Sequence, residues 1–377
     1  MVDLVQSFYR NLEVEKAVSL GEKALVQAEA SLKNDDPLKL ELMTVLAGVY
    51  MDAGKSEQSI KLGKSALEIS ETQYGSDHPQ TLRVMSMLVE SLRVSPEHKQ
   101  AVLYGKKHLM LTKAKLGVSH IETINSMSRL ALIYQTNEEF TLASKQFEEL
   151  NAILKNKLGV NHPAYLSSTA RTATCYSRAG NTDKAIVLNN LVFERIKPEL
   201  ENQHTNQLAV LSDLAHSCKL AKQTDLEIRL HEAMLGTCKV KLGETNLDTI
   251  DEMIILGKLL IGKNNARAVD LLSRGYELNC QVQPTHWYTF VSQSVLGESL
   301  LKKGNYQLAK KHLNESYRQL KVAPERSAKF FLKEAAERLV KLAEATEDKE
   351  ELAKWIAEKK ILENEEQKYL TSGDDDE

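Results

Sequence analysis

The chain has 377 residues, with 49 Lys and Arg against 52 Asp and Glu, and a formal charge of −3. That balance gives no overall field to gather nucleic acid or an anionic membrane surface, so neither is expected as a partner. The apolar stretch Ile254-Ile255-Leu256-Gly257-Lys258-Leu259-Leu260-Ile261 is far short of the ~20 residues a bilayer span needs, and Met1-Val2-Asp3-Leu4 lacks the basic-then-apolar pattern of a secretory signal. Four cysteines without a CxxC pair point to a reducing, cytoplasmic setting.

In chain order, residues 1–32 read as a partial repeat. Leu4, Val5, Phe8 and Ala17 stand 42 residues before Leu46, Ala47, Tyr50 and Ser59. Its first helix should begin before Met1, and because solenoids open with polar caps, the chain is expected to be cut from a longer protein or to have a misplaced start.

Residues 33–284 hold six repeats of 42. The turn Gly75-Ser76-Asp77-His78-Pro79 returns as Gly117-Val118-Ser119-His120, as Gly159-Val160-Asn161-His162-Pro163 and as Gly243-Glu244-Thr245-Asn246, with a decayed copy at Leu200 to His204. A fixed period in this range marks a solenoid whose units bury their apolar faces by stacking. After each turn, apolar residues recur at helical spacing. The column Leu46, Leu88, Leu130, Thr172, Leu214 and Leu256 is broken only at Thr172, and Ala47, Val89, Ala131, Ala173, Ala215 and Gly257 keep a small column beside it. Breaks at Gly54, Pro96, Asn137-Glu138 and Gly180-Asn181 separate a second helix that opens on Ser59, Ala101, Ala143 or Ala185.

Past residue 262 the register slips by two. A divergent last repeat occupies 285–322, with helices expected at 287–302 and 306–320. Residues 323–367 read as capping helices, the last over 348–364, and 368–377 as a disordered acidic tail.

The pattern L-A-x-x-Y, a turn, an Ala, a second helix and L-G-x-x-H-P resembles the tetratricopeptide repeat in its 42-residue form, as in kinesin light chains, over nearly the whole chain. The resemblance implies an all-α fold, a right-handed superhelical solenoid of antiparallel helix pairs, acting as a protein–protein interaction scaffold. The segments Gly304-Asn305-Tyr306 to Tyr317, Ala336 to Ala345 and Ala353-Lys354-Trp355 are similar to the C-terminal repeat region of planctomycete-type bacterial serine/threonine protein kinases. That similarity implies a second reading, the non-catalytic regulatory or docking region of such a kinase. A third, a kinesin-light-chain-like cargo adaptor, is weakened by the lack of a heptad coiled coil before the repeats.

No catalytic chemistry is expected. The chain has no Gly-rich phosphate loop, no His-Arg-Asp loop, no Asp-Phe-Gly site and no assignable Ser/His/Asp set, so no catalytic residue, cofactor or metal is expected. His78, His120, His162 and His204 recur every 42 residues, too far apart to share a zinc, and read as turn residues capping helix starts. His98, His108, His231 and His312 read as solvated, and the cysteines as buried fillers.

The family's concave face is lined by first helices. Carried onto this sequence, that register gives a groove of Arg83, Glu90, Arg93, Asn125, Ser128, Gln135, Thr174, Ser177, Arg178, His216 and Lys219. Its basic bias favours an extended, acidic peptide of unknown identity, because guanidinium pairs well with carboxylate. The sequence leaves the oligomeric state open.

Overall fold

Turn chemistry sets the helix starts. Asp36, His78, His120, His162 and His286 each place a side-chain acceptor on the backbone N–H two residues on, as Asn246 also does, satisfying a donor that the helix itself leaves unpaired. Pro37, Pro79 and Pro163 then occupy the first helical position, where no N–H is missed. The histidines recurring at 78, 120 and 162 are thus caps; His204 lies outside the described residues.

The computed structural model describes residues 2–10, 13–33, 36–201, 208–324 and 326–371, and among these every regular element is an α-helix. They divide into two compact units, the first ending at Ile196. The first unit contains α1 (Val2–Arg10), α2 (Val14–Ser31), α3 (Pro37–Asp52), α4 (Ser56–Tyr74), α5 (Pro79–Arg93), α6 (His98–Leu116), α7 (Ile121–Thr136), α8 (Phe140–Leu158), α9 (Pro163–Arg178) and most of α10 (Thr182–Glu201). The second contains α11 (Leu208–Leu220), α12 (Thr224–Leu242), α13 (Leu247–Leu260), α14 (Asn265–Val282), α15 (Trp287–Lys302), α16 (Tyr306–Val322), α17 (Arg326–Ala345) and α18 (Lys349–Thr371).

In the first unit, each helix from α1 to α9 packs on its neighbour in sequence, and the first helices α1, α3, α5 and α7 also pack side by side. The repeat columns explain this. Leu46, Leu88, Leu130 and Thr172 are all buried between hairpins. Thr172 fits because Asn151 on α8 stands where α6 has Leu109: Asn151 Nδ2 donates to Thr172 Oγ1 at 3.0 Å, and that hydroxyl donates to the Ser168 carbonyl at 2.8 Å. A buried polar pair thus replaces an apolar one, with the amide N–H and the hydroxyl bonded and Asn151 Oδ1 left without a partner among the described residues. Within the hairpins, the connecting turn demands a left-handed residue. Gly54 and Gly180 supply it freely, and Glu138 supplies it at φ 60° against a cost of ~1–2 kcal/mol.

The second unit repeats the scheme, with α13, α15 and α17 side by side. Where the small column reaches Gly257, a Cβ would lie 2.6 Å from Leu272 Cγ, so α14 approaches α13 more closely than an alanine would allow. Trp287 stacks on Phe331 with ring centroids 5.3 Å apart, joining α15 to α17, while Phe330 beside it is exposed and takes no part in that packing. α18 runs to Thr371, further than the sequence reading and into the segment read as a tail, since no Gly or Pro interrupts it before Gly373. Residues 372–377 lie outside the described residues.

Cys175, Cys218 and Cys238 are buried, as expected of fillers, whereas Cys280 is only half-buried; burial pushes the Cys175 and Cys218 thiols up to about 12. His108 and His231 overturn the expectation of solvated histidines: the first is fully buried and the second nearly so.

Replacing Leu88, 0% exposed between α4, α5 and α6, by Ala is expected to cost ~2–5 kcal/mol in urea unfolding. The same change at Leu103, 65% exposed, should stay within ~0.5 kcal/mol.

Candidate functional site

The first helices of the first unit carry most of the groove residues read from sequence, and the structure sorts them by what each already touches. Glu90 and Arg93 are three residues apart on α5, so they lie on one helix face. Arg93 donates from Nε to Glu90 Oε1 at 2.9 Å and from its terminal nitrogen to the same oxygen. Arg129 on α7 approaches the other Glu90 oxygen at 3.9 Å and donates to Glu122 Oε1 at 3.3 Å. The result is a chain of alternating charge, Arg93, Glu90, Arg129, Glu122, laid across α5 and α7. Side-chain exposures of 27–33% leave it in contact with water, so each link contributes only ~0.2–1 kcal/mol.

The chain corrects the sequence reading in two respects. Arg93 is committed to Glu90 and is not a free cation for a ligand. Arg129 and Glu122 were missed, although a signal existed: Arg129 and Arg171 are 42 residues apart, a repeated basic position as regular as those selected.

Arg83, the fifth residue of α5, is exposed and makes no ion pair with any described residue. Arg178, the last residue of α9, is also exposed; its guanidinium carbon lies 6.0 Å from the Phe140 ring centroid, a weak cation–π contact that leaves its donors outward. Asn125 and Ser128 are half-buried on α7. Gln135 Oε1 and Ser177 Oγ, at equivalent positions of α7 and α9, are enclosed and find no hydrogen-bond partner among the described residues. Thr174 leaves the site: it is 3% exposed, and its hydroxyl donates to the Ala170 carbonyl at 3.2 Å, the usual fate of a short β-branched side chain on a covered helix face. His216 and Lys219 are exposed on α11, in the second unit. The groove residues of the first unit therefore all lie on α5, α7 and α9.

Beneath the charge chain lies His108 on α6. Its Nδ1 is 2.9 Å from Ser126 Oγ on α7, and burial first, then the Arg129 guanidinium, push it down to about 4. Among the described residues, no group of His, Cys, Asp or Glu is placed to hold a metal, and no helix is long and apolar enough to cross a membrane.

Residues 42–114 and 123–164 match family models of the tetratricopeptide repeat. Among solved structures, a variant of a putative kinesin light chain with nearly identical tetratricopeptide-like repeats, from Podosopora anserina, is similar at 23% identity. The match covers 53% of this chain and 94% of that one, with a TM-score of 0.50. The apo form of RapI is similar at 9% identity over 85% of each chain, with a TM-score of 0.61. No curated protein matches the chain. The fold is thus an all-α array of tetratricopeptide repeats.

Because the folded state holds His108 neutral, stability from this group is complete above its ordinary value of 6.5 and is lost as the unfolded chain takes up a proton between there and about 4. Urea unfolding at pH 7 and pH 4.5 should show wild type losing up to ~3 kcal/mol more than His108→Gln. Equal losses would remove the histidine from the account.

Proposed function

We propose that this chain is a protein–protein interaction scaffold whose first-unit helices α5, α7 and α9 bind an extended peptide carrying acidic side chains. The observation that carries this reading is the pair of uncommitted guanidiniums, Arg83 and Arg178, at the two ends of a face whose other charges already neutralise one another. An extended ligand crossing α5, α7 and α9 meets Arg83 early and Arg178 late, with the neutral hydrogen bonders Asn125 and Ser128 between them. Arg–carboxylate pairing is bidentate and directional, which favours Glu or Asp side chains or a chain terminus over phosphate-free neutral segments. The charge chain from Arg93 to Glu122 then acts as a spacer that repels a second acidic group placed over Glu90. Recognition is by position as well as by charge.

The kinase-region and cargo-adaptor readings share this fold and differ in the partner delivered to the face. No residue of the site favours either over a freestanding scaffold.

With a fluorescein-labelled twelve-residue peptide rich in Asp and Glu as probe, Arg83→Glu/Arg178→Glu should weaken binding by ~10-fold or more, about 1.4 kcal/mol, with the helical circular dichroism unchanged. Arg93→Glu alone should act mainly on stability, by breaking the Glu90 pair. Wild-type affinity in the double variant would overturn the assignment.

A further inference from the structure

The second helices bury one face against first helices and leave the other to water, and on one of them that outer face departs from its neighbours. α6 carries five lysines, Lys99, Lys106, Lys107, Lys113 and Lys115, and no Asp or Glu. Lys99, Leu103, Lys106 and Met110 fall at i, i+4, i+7 and i+11, so they form one ridge along the helix, and all four are exposed. Leu103 and Met110 show 65% and 63% of their surface to water. The same repeat positions read Glu57, Lys61, Lys64 and Glu68 on α4 and Thr141, Lys145, Glu148 and Ala152 on α8, the polar face an outward helix normally presents. Of these three helices, α6 alone leaves two large apolar side chains in water seven residues apart.

The lysines divide into two sets. Lys107 Nζ donates to Glu71 Oε1 of α4 at 2.7 Å, Lys115 Nζ lies 2.9 Å from Asp77 Oδ2 in the α4–α5 turn, and Lys113 Nζ lies 3.7 Å from Glu149 Oε2 of α8. Those three are tied to the flanks. Lys99 and Lys106, the two on the ridge, make no ion pair with any described residue; Lys106 has a weak ring contact, its Nζ 5.8 Å from the Tyr134 centroid. At the Lys99 end the ridge runs into an open cleft of about 640 Å³, walled by His98, Lys99 and Val102 on one side and by residues 136–139 of the α7–α8 connection on the other. That far wall carries Glu138 and Glu139, so the positive field belongs to the ridge and not to the cleft.

We propose that the α6 ridge docks an amphipathic helix of a partner protein, apolar at heptad spacing and flanked by Glu or Asp. Spacing, length and charge choose this occupant. Leu103 and Met110 are one heptad apart, the repeat at which two helices crossing at a shallow angle stay in contact. From Lys99 to Met110 the ridge is ~16 Å long, about three turns of a partner helix. Its two ammoniums alternate with the apolar side chains, so carboxylates beside the partner's apolar stripe fall within their reach and set the register. Val102 gives the partner's next side chain an apolar wall in the cleft. An extended strand has no sheet edge to join among the described residues, and a bilayer surface calls for a broader apolar face than two side chains. The ridge lies on a second helix, so the α5, α7 and α9 face stays free and the scaffold can hold two partners at once.

Fluorescence anisotropy with the full chain tests this, the probe being a lactam-bridged, fluorescein-labelled helix of eighteen residues with Leu at heptad a and d positions and Glu at e and g. Leu103→Ser/Met110→Ser should weaken its binding by ~10-fold or more. Lys99→Glu/Lys106→Glu should do the same, with the loss shrinking at high salt. All four side chains are exposed, so both variants are expected to keep the wild-type urea unfolding curve. Arg83→Glu/Arg178→Glu should bind the helix as wild type does, which separates this surface from the groove. Absence of saturable binding, wild-type affinity in the Leu103 and Met110 variant, or equal affinity for a control helix with Ser in place of every Leu would overturn the proposal. So would binding to phosphatidylserine vesicles that the same variants abolish, which would assign the ridge to a membrane surface.

Discussion

One constraint governs the molecule: a helical hairpin of this length cannot bury its apolar stripe alone. Leu46, Leu88 and Leu130 are out of water because the preceding second helices cover them, at Gly21 of α2, Gly63 of α4 and Gly105 of α6, so each repeat needs a neighbour to complete its core. That dependence fixes the period, since an insertion would rotate the stripe away from its neighbour, and it leaves the opposite face of each first helix free of packing duties. The functional reading follows from this division of labour. Long, charged residues such as Arg83, Glu90 and Arg129 occupy the free face, while the packed columns are mostly apolar or small, with exceptions such as Thr172.

Most of the fold was legible because it is written several times over. Repetition turns a weak helical pattern into a strong one, and a capping Asp, His or Asn marks the starts of the first helices α3, α5, α7, α9, α13 and α15. What was not legible needs the third dimension. That Arg93 is committed to Glu90 is a matter of rotamers on one face. That Arg129 reaches Glu90 depends on the packing of α5 against α7. Thr174 looked available because its position was carried over from a family register, yet its short side chain bonds its own helix. The length of α18 and the exposure of Phe330 were likewise matters of which surfaces find a neighbour.

The buried polar groups show how far a repeat array tolerates departure from its own rule. Asn151 and Thr172 replace an apolar pair and bond to one another, although Asn151 Oδ1 stays buried without a partner among the described residues. Glu227 and Glu252 bring ionisable side chains to the α12–α13 seam, where Glu252 pairs with His231 at 2.7 Å and burial raises Glu227. His108 sits between these cases, a buried imidazole held neutral beneath the Arg129 guanidinium. Ionisable groups inserted in the packed columns couple array stability to conditions without altering the exposed face.

The central claim is that ligand recognition lies on the first helices of the first unit. Hydrogen–deuterium exchange of the full chain with and without a saturating Glu-rich twelve-residue peptide at neutral pH tests it most directly. The account predicts added protection along α5, α7 and α9 with none on the outer surfaces of α4, α6 and α8. Protection confined to the second helices, or to the second unit, would contradict it.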